Sequence, residues 1–353
     1  MSKYSKLSKI LHNQFLNNGE ITDYFIKRLK IKSNQFDLTN IENIFITGLA
    51  RSGTTALLQA LDSSGEVASL RYKYMPFILS PKIASIYSKF VNSKIKISER
   101  IHGDGLMVGP GSPECLDEPF WINNLYKFKT FDRYLEPHSF NRDIAKIYGY
   151  LLNSYLKIEG KNRLIIKNNN NHLRLLSLSK FFPKSKILVL FRSPCAHAKS
   201  LLNLHERLIK AQDDDDYVLS YMNLLGHWEF GKGKKPFVYK KTQAKVLDKL
   251  SDQNFKYWLT QWIYSYEWIL DIATQKNKPN LVFICYEDVC ENLNYKKRLM
   301  EKLEISDKKI NFKFRLGKSN SKKVEHDFDL ERINYAEEIY QKLRKKSFSC
   351  LSI

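Results

Sequence analysis

A run of small and hydroxyl-bearing residues, GLARSGTT at positions 48–55, is the part of this sequence best suited to binding an anion. It lies between a short apolar, β-branched segment, 44–47, and a segment patterned as a helix, 55–62. In such a strand–loop–helix unit, the backbone N–H groups of the loop converge where the helix dipole favours negative charge. The sequence therefore predicts a phosphate-binding loop here.

The loop has the spacing of a Walker A motif, with one replacement that changes its chemistry. Thr54 stands where that motif has the lysine that reaches the β- and γ-phosphates of a nucleoside triphosphate. The sequence has no acidic residue at the end of a matching strand to hold magnesium, and Arg51 adds a positive charge inside the loop. The loop is therefore poorly suited to ATP or GTP chemistry, and its residues favour a different anion.

Other residues at strand ends could supply charge or stacking beside this loop. Lys167, Arg192 and Tyr286 each follow a short apolar segment, and Ser200 lies eight residues after Arg192 in a predicted helix. The Arg192 guanidinium can bond two phosphate oxygens at once, and the Tyr286 ring can cover the face of a purine. Since strands that alternate with helices form parallel sheets, we expect these residues at one carboxyl edge.

These residues resemble the donor site of sulfotransferases that use 3′-phosphoadenosine 5′-phosphosulfate (PAPS). The loop is similar to their 5′-phosphosulfate loop, and Tyr-Glu-Asp at 286–288 is similar to their strand-end motif, whose tyrosine lies near the adenine. The resemblance implies that Arg192 and Ser200 hold the 3′-phosphate, and that Lys167 and Arg51 are catalytic. The donor-binding residues it implies are Gly48, Arg51, Ser52, Gly53, Thr54, Thr55, Arg192, Ser200 and Tyr286.

The group that removes the acceptor proton departs from the family pattern. Cytosolic animal and plant sulfotransferases have a histidine two residues after the catalytic lysine, but Asn169 occupies that position here and cannot accept a proton. The glutamate of tyrosylprotein sulfotransferases is not evident in 69–77. Side chains able to act as the base are His102, Asp104, Glu114, Glu118, His205 and His227. We favour His102 or Glu114, because both lie in Gly- and Pro-bounded loops expected to cover the acceptor.

The fold expected is α/β, with a P-loop-type central parallel β-sheet flanked by helices. One sulfotransferase-like domain is predicted over 41–346, with a helical segment 1–40 before it and a tail 347–353 after it. Long insertions at about 70–140 and 208–250 are expected to form lids over the carboxyl edge.

The basic run 315–323 has two interpretations. It could be a flap that closes on the 3′-phosphate, similar to a loop of the family, or a solvated run of charge.

Composition excludes several other classes of protein. A chain of 353 residues with 43% hydrophobic residues can bury a core, which excludes global disorder. The five cysteines are scattered and have no ligand spacing, so neither a disulfide framework nor a zinc site is indicated. No apolar run approaches the roughly 18 residues of a membrane span, and a cytoplasmic protein is expected. The 58 Lys and Arg against 37 Asp and Glu give a net charge of +21, which attracts anions.

The sequence thus predicts a bacterial-type, PAPS-dependent sulfotransferase whose group includes few members with an assigned acceptor. Its acceptor would be a hydroxyl or amine of a saccharide, lipid headgroup or small metabolite, with PAP as product and neither metal nor nucleic acid involved. An ATP-dependent small-molecule kinase is an alternative, against which Thr54 counts. A non-enzymatic polyanion-binding protein is another, although no nucleic-acid-binding motif supports it. The oligomeric state stays open.

Overall fold

In a computed structural model the chain is described over residues 6–17, 19–91, 98–99, 107–125, 133–275, 280–306, 310, 312 and 329–352. The strands are β1 (Ile44–Thr47), β2 (Ala68–Ser69), β3 (Ser98–Glu99), β4 (Met107–Val108), β5 (Leu164–Lys167), β6 (Lys186–Phe191) and β7 (Leu281–Cys285). Five of them form a parallel sheet in the order β2-β5-β1-β6-β7, and β3 pairs with β4 in an antiparallel ladder. The predicted α/β class with a central parallel sheet is confirmed.

Helices connect these strands and cover both faces of the sheet. In the N-terminal half they are α1 (Lys6–His12), α2 (Gly19–Ser33), α3 (Thr54–Asp62), α4 (Pro81–Phe90), α5 (Glu118–Asn124) and α6 (Arg142–Glu159). In the C-terminal half they are α7 (Leu175–Phe181), α8 (Pro194–Asp214), α9 (Asp216–Leu224), α10 (Lys241–Leu247), α11 (Phe255–Gln275), α12 (Tyr286–Glu291), α13 (Leu293–Leu303) and α14 (Leu330–Leu351). Asn13–Asn17 form a π-helical turn, and Tyr72–Tyr74 and Asn169–Arg174 form 3-10 turns. Among the described helices, none is both long and apolar enough to cross a bilayer.

The central strand divides the apolar core between the two faces of the sheet. Phe45 belongs to one apolar cluster and its neighbours Ile44 and Ile46 to another, since successive strand side chains point to opposite faces. The first cluster includes Trp262 and Tyr266 of α11, both fully buried, as expected for that aromatic stripe. Apolar side chains therefore cover both faces of the sheet, so a functional site is expected at its edges.

The ends of several elements differ from the sequence prediction. Lys167 is the last residue of β5 rather than the residue after it, so its backbone is fixed by pairing with Ile46. The final helix continues to Leu351, so most of the predicted tail 347–353 is helical. It continues because Leu351 is buried and Ser347 is hydrogen-bonded to Tyr295.

The predicted insertions are packed into the fold to an extent that the sequence did not indicate. Tyr74, Phe120 and Trp121, all in the first insertion, are completely buried in the larger apolar cluster. The second insertion contains the end of α8 together with α9 and α10. Where they are described, both insertions are structural parts of the domain, not only covers over its edge.

Candidate functional site

The carboxyl edge of the sheet brings together residues that are far apart in sequence. The loop 48–53 leaves the central strand β1, with Lys167 at the end of β5 on one side. On the other side, Arg192 follows β6 and Tyr286 follows β7. The loop is therefore flanked by a lysine on one side and by an arginine and a tyrosine on the other.

The loop backbone takes a left-handed conformation at three positions. The φ angles are 130° at Gly48, 71° at Arg51 and 97° at Gly53, the last of which caps the N-terminus of α3. A Cβ atom at Gly48 would collide with the Leu190 carbonyl, and one at Gly53 would collide with the Tyr286 ring. Glycine is needed at both positions because the loop must approach β6 and Tyr286 so closely.

Three hydroxyl residues of the loop are held in the interior. Ser52, Thr54 and Thr55 are all buried, and the Ser52 N–H donates to the Leu49 carbonyl at 3.2 Å. The first N–H groups of α3 have no acceptor within the helix, which is the usual condition of an anion-binding helix start.

Helix α8 anchors the loop from the β6 side. Arg51 Nε donates to Ser200 Oγ at 3.1 Å, and His197 Nε2 donates to the Ala50 carbonyl at 2.8 Å. Burial lowers the pKa of His197 to about 3, and the charges of Arg192 and Arg51 act in the same direction. The ring therefore stays neutral and serves as a hydrogen-bond donor, and Arg51 lies toward Ser200.

The tyrosine motif joins Arg192 to the last helix. The Arg192 guanidinium lies 5.0 Å from the centroid of the Tyr286 ring, and its Nε lies 3.8 Å from Glu287 Oε1. Glu287 also accepts from the Ser193 N–H at 3.0 Å and from the Tyr340 hydroxyl at 3.2 Å.

The next acidic residue of that motif makes a two-pronged contact with α14. Asp288 accepts from Arg344 Nε at 2.9 Å and from Arg344 Nη2 at 2.7 Å. No role for Glu287, Asp288 or Arg344 could be inferred from sequence, because their partners are distant in the chain.

On the opposite side of the loop, Lys167 is paired with one of the predicted base candidates. Lys167 Nζ lies 3.0 Å from Glu114 Oε1, and both side chains are buried. Glu114 is held there because its N–H donates to the Leu70 carbonyl at 3.2 Å, while the Tyr72 N–H donates to the Ser112 carbonyl at 3.3 Å. This strand-like pairing extends the sheet edge and fixes the glutamate opposite the lysine.

Asn169 links the phosphate loop to the end of β5. Its Oδ1 accepts from Thr54 Oγ1 at 3.2 Å, and its backbone carbonyl accepts from Thr47 Oγ1 at 3.0 Å. Asn169, which stands where cytosolic animal and plant sulfotransferases have a histidine, thus orients the Thr54 side chain of the loop.

Two other base candidates are enclosed by structural contacts. Glu118 is fully buried and bonded to Arg174 Nη2 and Asn168 Nδ2, each at 2.5 Å. Burial raises the pKa of Glu118, an effect that the Arg174 charge opposes. His205 Nδ1 accepts from the Gly231 N–H at 3.1 Å, and burial lowers the pKa of this ring. Both side chains are therefore engaged in contacts that hold the fold together.

The remaining candidates differ in how far they can be described. His102, Asp104 and the run 315–323 lie outside the described residues. His227 is partly exposed, and its Nδ1 lies 3.9 Å from Oε1 of the buried Glu229. Burial favours the neutral form of Glu229, but the neighbouring His227 side chain and the Lys167 charge bring its pKa below the ordinary value. Glu229 was not singled out from sequence, because no spacing connects it to Lys167.

The parallel sheet and the loop after its central strand define a P-loop α/β protein. A model of the Sulfotransferase family matches residues 43–232, more than half of the chain, and the chain belongs to that family. Within the described residues, no cluster of three or more His, Cys, Asp or Glu side chains could hold a metal ion.

Solved structures of bacterial sulfotransferases are similar to this chain at low sequence identity. STF1 from Mycobacterium tuberculosis is 12% identical over 86% of this chain and 78% of that one, with a TM-score of 0.49. STF9 from Mycobacterium avium is 13% identical over 87% and 75% of the two chains, with a TM-score of 0.45. A sulfotransferase from Alicyclobacillus acidocaldarius is 13% identical over 88% and 96%, with a TM-score of 0.36. Comparison with curated proteins gives no match.

The contact between the loop and Tyr286 predicts a difference between two glycine substitutions. Gly53 and Gly65 both have positive φ, but a Cβ at Gly65 meets no atom within 4 Å. We expect Gly65→Ala to cost about 1–2 kcal/mol, the usual penalty of the left-handed region. Gly53→Ala should cost about 1–3 kcal/mol more, because the Tyr286 ring must also move. Urea unfolding of the two variants measures both values, and equal losses would contradict the contact.

The neutral His197 predicts a loss of stability in acid. Because its folded pKa of about 3 lies below the ordinary histidine value, the unfolded chain binds a proton there first as the pH falls below about 6.5. This one ring should lower the free energy of unfolding by about 1.4 kcal/mol per pH unit between these limits. In His197→Gln, urea unfolding at pH 7, 6 and 5 should give a shallower decline. An identical decline in both proteins would show that His197 does not titrate in this way.

Proposed function

We propose that the protein transfers a sulfuryl group from PAPS to an acceptor hydroxyl or amine and releases PAP. The observation that carries this proposal is the arrangement around the loop, with Lys167 on one side and Arg192 with Tyr286 on the other. A lone phosphate loop would fit many nucleotides, whereas two cationic flanks and a loop without the Walker lysine favour a donor with phosphates at two separate positions.

The β6–β7 side of the loop would hold the nucleotide. Tyr286 offers a ring for the adenine, and the Arg192 guanidinium lies close enough to that ring to reach a phosphate attached to the adjacent ribose. Ser200 would add a hydroxyl donor to the same phosphate. The N–H groups of residues 52–55 would hold the 5′-phosphate, assisted by the Thr54 and Thr55 hydroxyls.

The transfer itself would be an in-line displacement at sulfur. The acceptor oxygen or nitrogen forms a bond to sulfur while the bond between sulfur and the bridging oxygen breaks, and that electron pair stays on the phosphate of PAP. In a loose transition state the chief demand on the protein is to stabilise the growing charge on the leaving oxygen. Lys167 and Arg51 are the cations for this role, so the reaction calls for no metal. Glu114 holds the Lys167 ammonium in place through their 3.0 Å contact.

The acceptor would bind on the β5 side, where Lys167, Glu114 and the His227–Glu229 pair lie. Family membership suggests a small molecule. A saccharide, a lipid headgroup or another metabolite could each be the acceptor, since each carries a hydroxyl or amine.

A ligand-binding experiment tests the donor. The melting temperature of the whole protein should rise with PAP equally in the presence and absence of magnesium, and change little with ATP. At about 100 times its dissociation constant, a ligand that binds only the folded state adds about 2.7 kcal/mol of stability. A magnesium-dependent shift with ATP and none with PAP would make a kinase the better proposal. Ligand binding that weakens steeply with added salt and shows no preference for any nucleotide would favour a polyanion-binding protein.

Substitution of the two flanking cations should separate binding from transfer. Arg192→Ala should weaken PAP binding about 10- to 100-fold, the usual cost of losing charge-assisted hydrogen bonds. Lys167→Ala should lower turnover of PAPS about 100- to 1,000-fold with much less effect on PAP affinity. Calorimetric titration with PAP and release of labelled sulfate from PAPS provide the two measurements.

Two further variants control this comparison. Lys199→Ala removes an exposed charge next to Ser200 and should change neither quantity. Lys167→Ala leaves the Glu114 carboxylate buried without its partner, which can destabilise the protein. Lys167→Arg keeps a positive charge opposite Glu114, so a loss of turnover in this variant does not come from an unpaired carboxylate. Unchanged turnover in Lys167→Ala would remove this residue from the mechanism.

A further inference from the structure

The loop 226–235, between α9 and α10, lies against the end of β5. Asn170, in the 3-10 turn that follows Lys167, donates from Nδ2 to the Gly226 carbonyl at 3.3 Å. Gly226 has a φ of 67°, and a Cβ atom there would collide with the Glu118 side chain. The next residues of this loop, His227 to Glu229, are therefore on the same side of the phosphate loop as Lys167.

Several contacts hold this loop in one conformation. At its start, the His227 N–H donates to the Met222 carbonyl at 2.9 Å. Further along, the Lys232 N–H donates to Gln212 Oε1 at 2.7 Å, and Lys234 Nζ lies 3.3 Å from Asp252. Together with the contact between Gly231 and His205, these bonds fix a segment that has little regular secondary structure. A loop anchored so thoroughly can keep side chains at defined positions.

His227 and Glu229 form a pair of a base and an orienting acid. The Nδ1–Oε1 separation is 3.9 Å, and the imidazole side chain is 30% exposed whereas that of the glutamate is only 8% exposed. Among the described residues, Glu229 Oε2 has no hydrogen-bond partner. A carboxylate on the Nδ1 side of the ring favours the tautomer with the proton on that nitrogen, which leaves Nε2 as the proton-accepting atom.

We propose that His227 is the base that takes the acceptor proton, and that Glu229 is its positioning residue. This inference rests on the proposed sulfuryl transfer. As the acceptor oxygen bonds to sulfur, its proton passes to His227 Nε2, and the electron pair of the broken S–O bond leaves with PAP. The resulting imidazolium faces the Glu229 carboxylate, which stabilises its charge, and the proton then passes to solvent at the exposed ring.

The other described candidates are less suited to this step. Glu114 Oε1 accepts from both Lys167 Nζ and the Cys115 N–H, each at 3.0 Å, so this oxygen is occupied in holding the lysine. Glu118 is enclosed with Arg174, and His205 Nδ1 already accepts a backbone N–H. Of the described candidates, His227 alone combines partial exposure with an acid that orients it.

Transfer from PAPS to water tests this assignment without knowledge of the natural acceptor. His227→Gln should lower the release of labelled sulfate about 100-fold, in the range expected for a lost general base, and leave PAP affinity unchanged. In His227→Gly, added imidazole should restore part of the rate, because a free imidazole can enter the exposed space and accept the proton. The wild-type enzyme should not respond to imidazole. A structural role for His227 would not produce this rescue.

Glu229→Gln tests the positioning role separately. Its kcat should fall about tenfold with the KM for PAPS unchanged, and adding this substitution to His227→Gln should cause no further loss, since the glutamate acts through the imidazole. Full activity of His227→Gln, or independent losses in the double variant, would overturn the assignment. Failure of the wild-type protein to bind PAP would instead overturn the proposed function, so the two failures are distinguishable.

Discussion

The buried ion pair between Lys167 and Glu114 sets the arrangement of the β5 side of the loop 48–53. Removing one partner of a buried ion pair lowers the free energy of unfolding by about 3–5 kcal/mol, so each side chain must stay within reach of the other. Lys167 is fixed because it ends β5, and Glu114 must therefore be brought to it from another part of the chain. The segment 110–114 achieves this by pairing with 70–73, and much of the first insertion follows from that requirement.

Much of the fold and half of the site could be predicted because the relevant signals are local. β1, β6 and β7 are short apolar runs followed by helices, and the loop after β1 carries its glycines where the backbone needs them. Arg192 and Tyr286 could be identified since each directly follows such a strand. In a parallel sheet all strand ends meet at one edge, so local patterns were enough to bring these residues together.

The rest depends on contacts between distant segments, for which the sequence carries no spacing signal. The partner of Glu114 could not be inferred, because the pairing of 70–73 with 110–114 involves irregular backbone. Among the six candidates for the base, loop position favoured His102 or Glu114, but only tertiary contacts distinguish an enclosed Glu118 from a partly exposed His227. The hydrogen bond from Arg51 to Ser200 on α8 likewise joins two segments that no sequence spacing connects.

The contacts of α14 have a consequence for the order in which the protein is built. Glu287 and Asp288, next to the ring expected under the adenine, are held by Tyr340 and Arg344 of this helix. The ribosome makes α14 more than two hundred residues after the loop 48–53. During synthesis the side of the loop formed by Arg192 and Tyr286 therefore acquires the contacts of α14 after Lys167 and Glu114 have both been made.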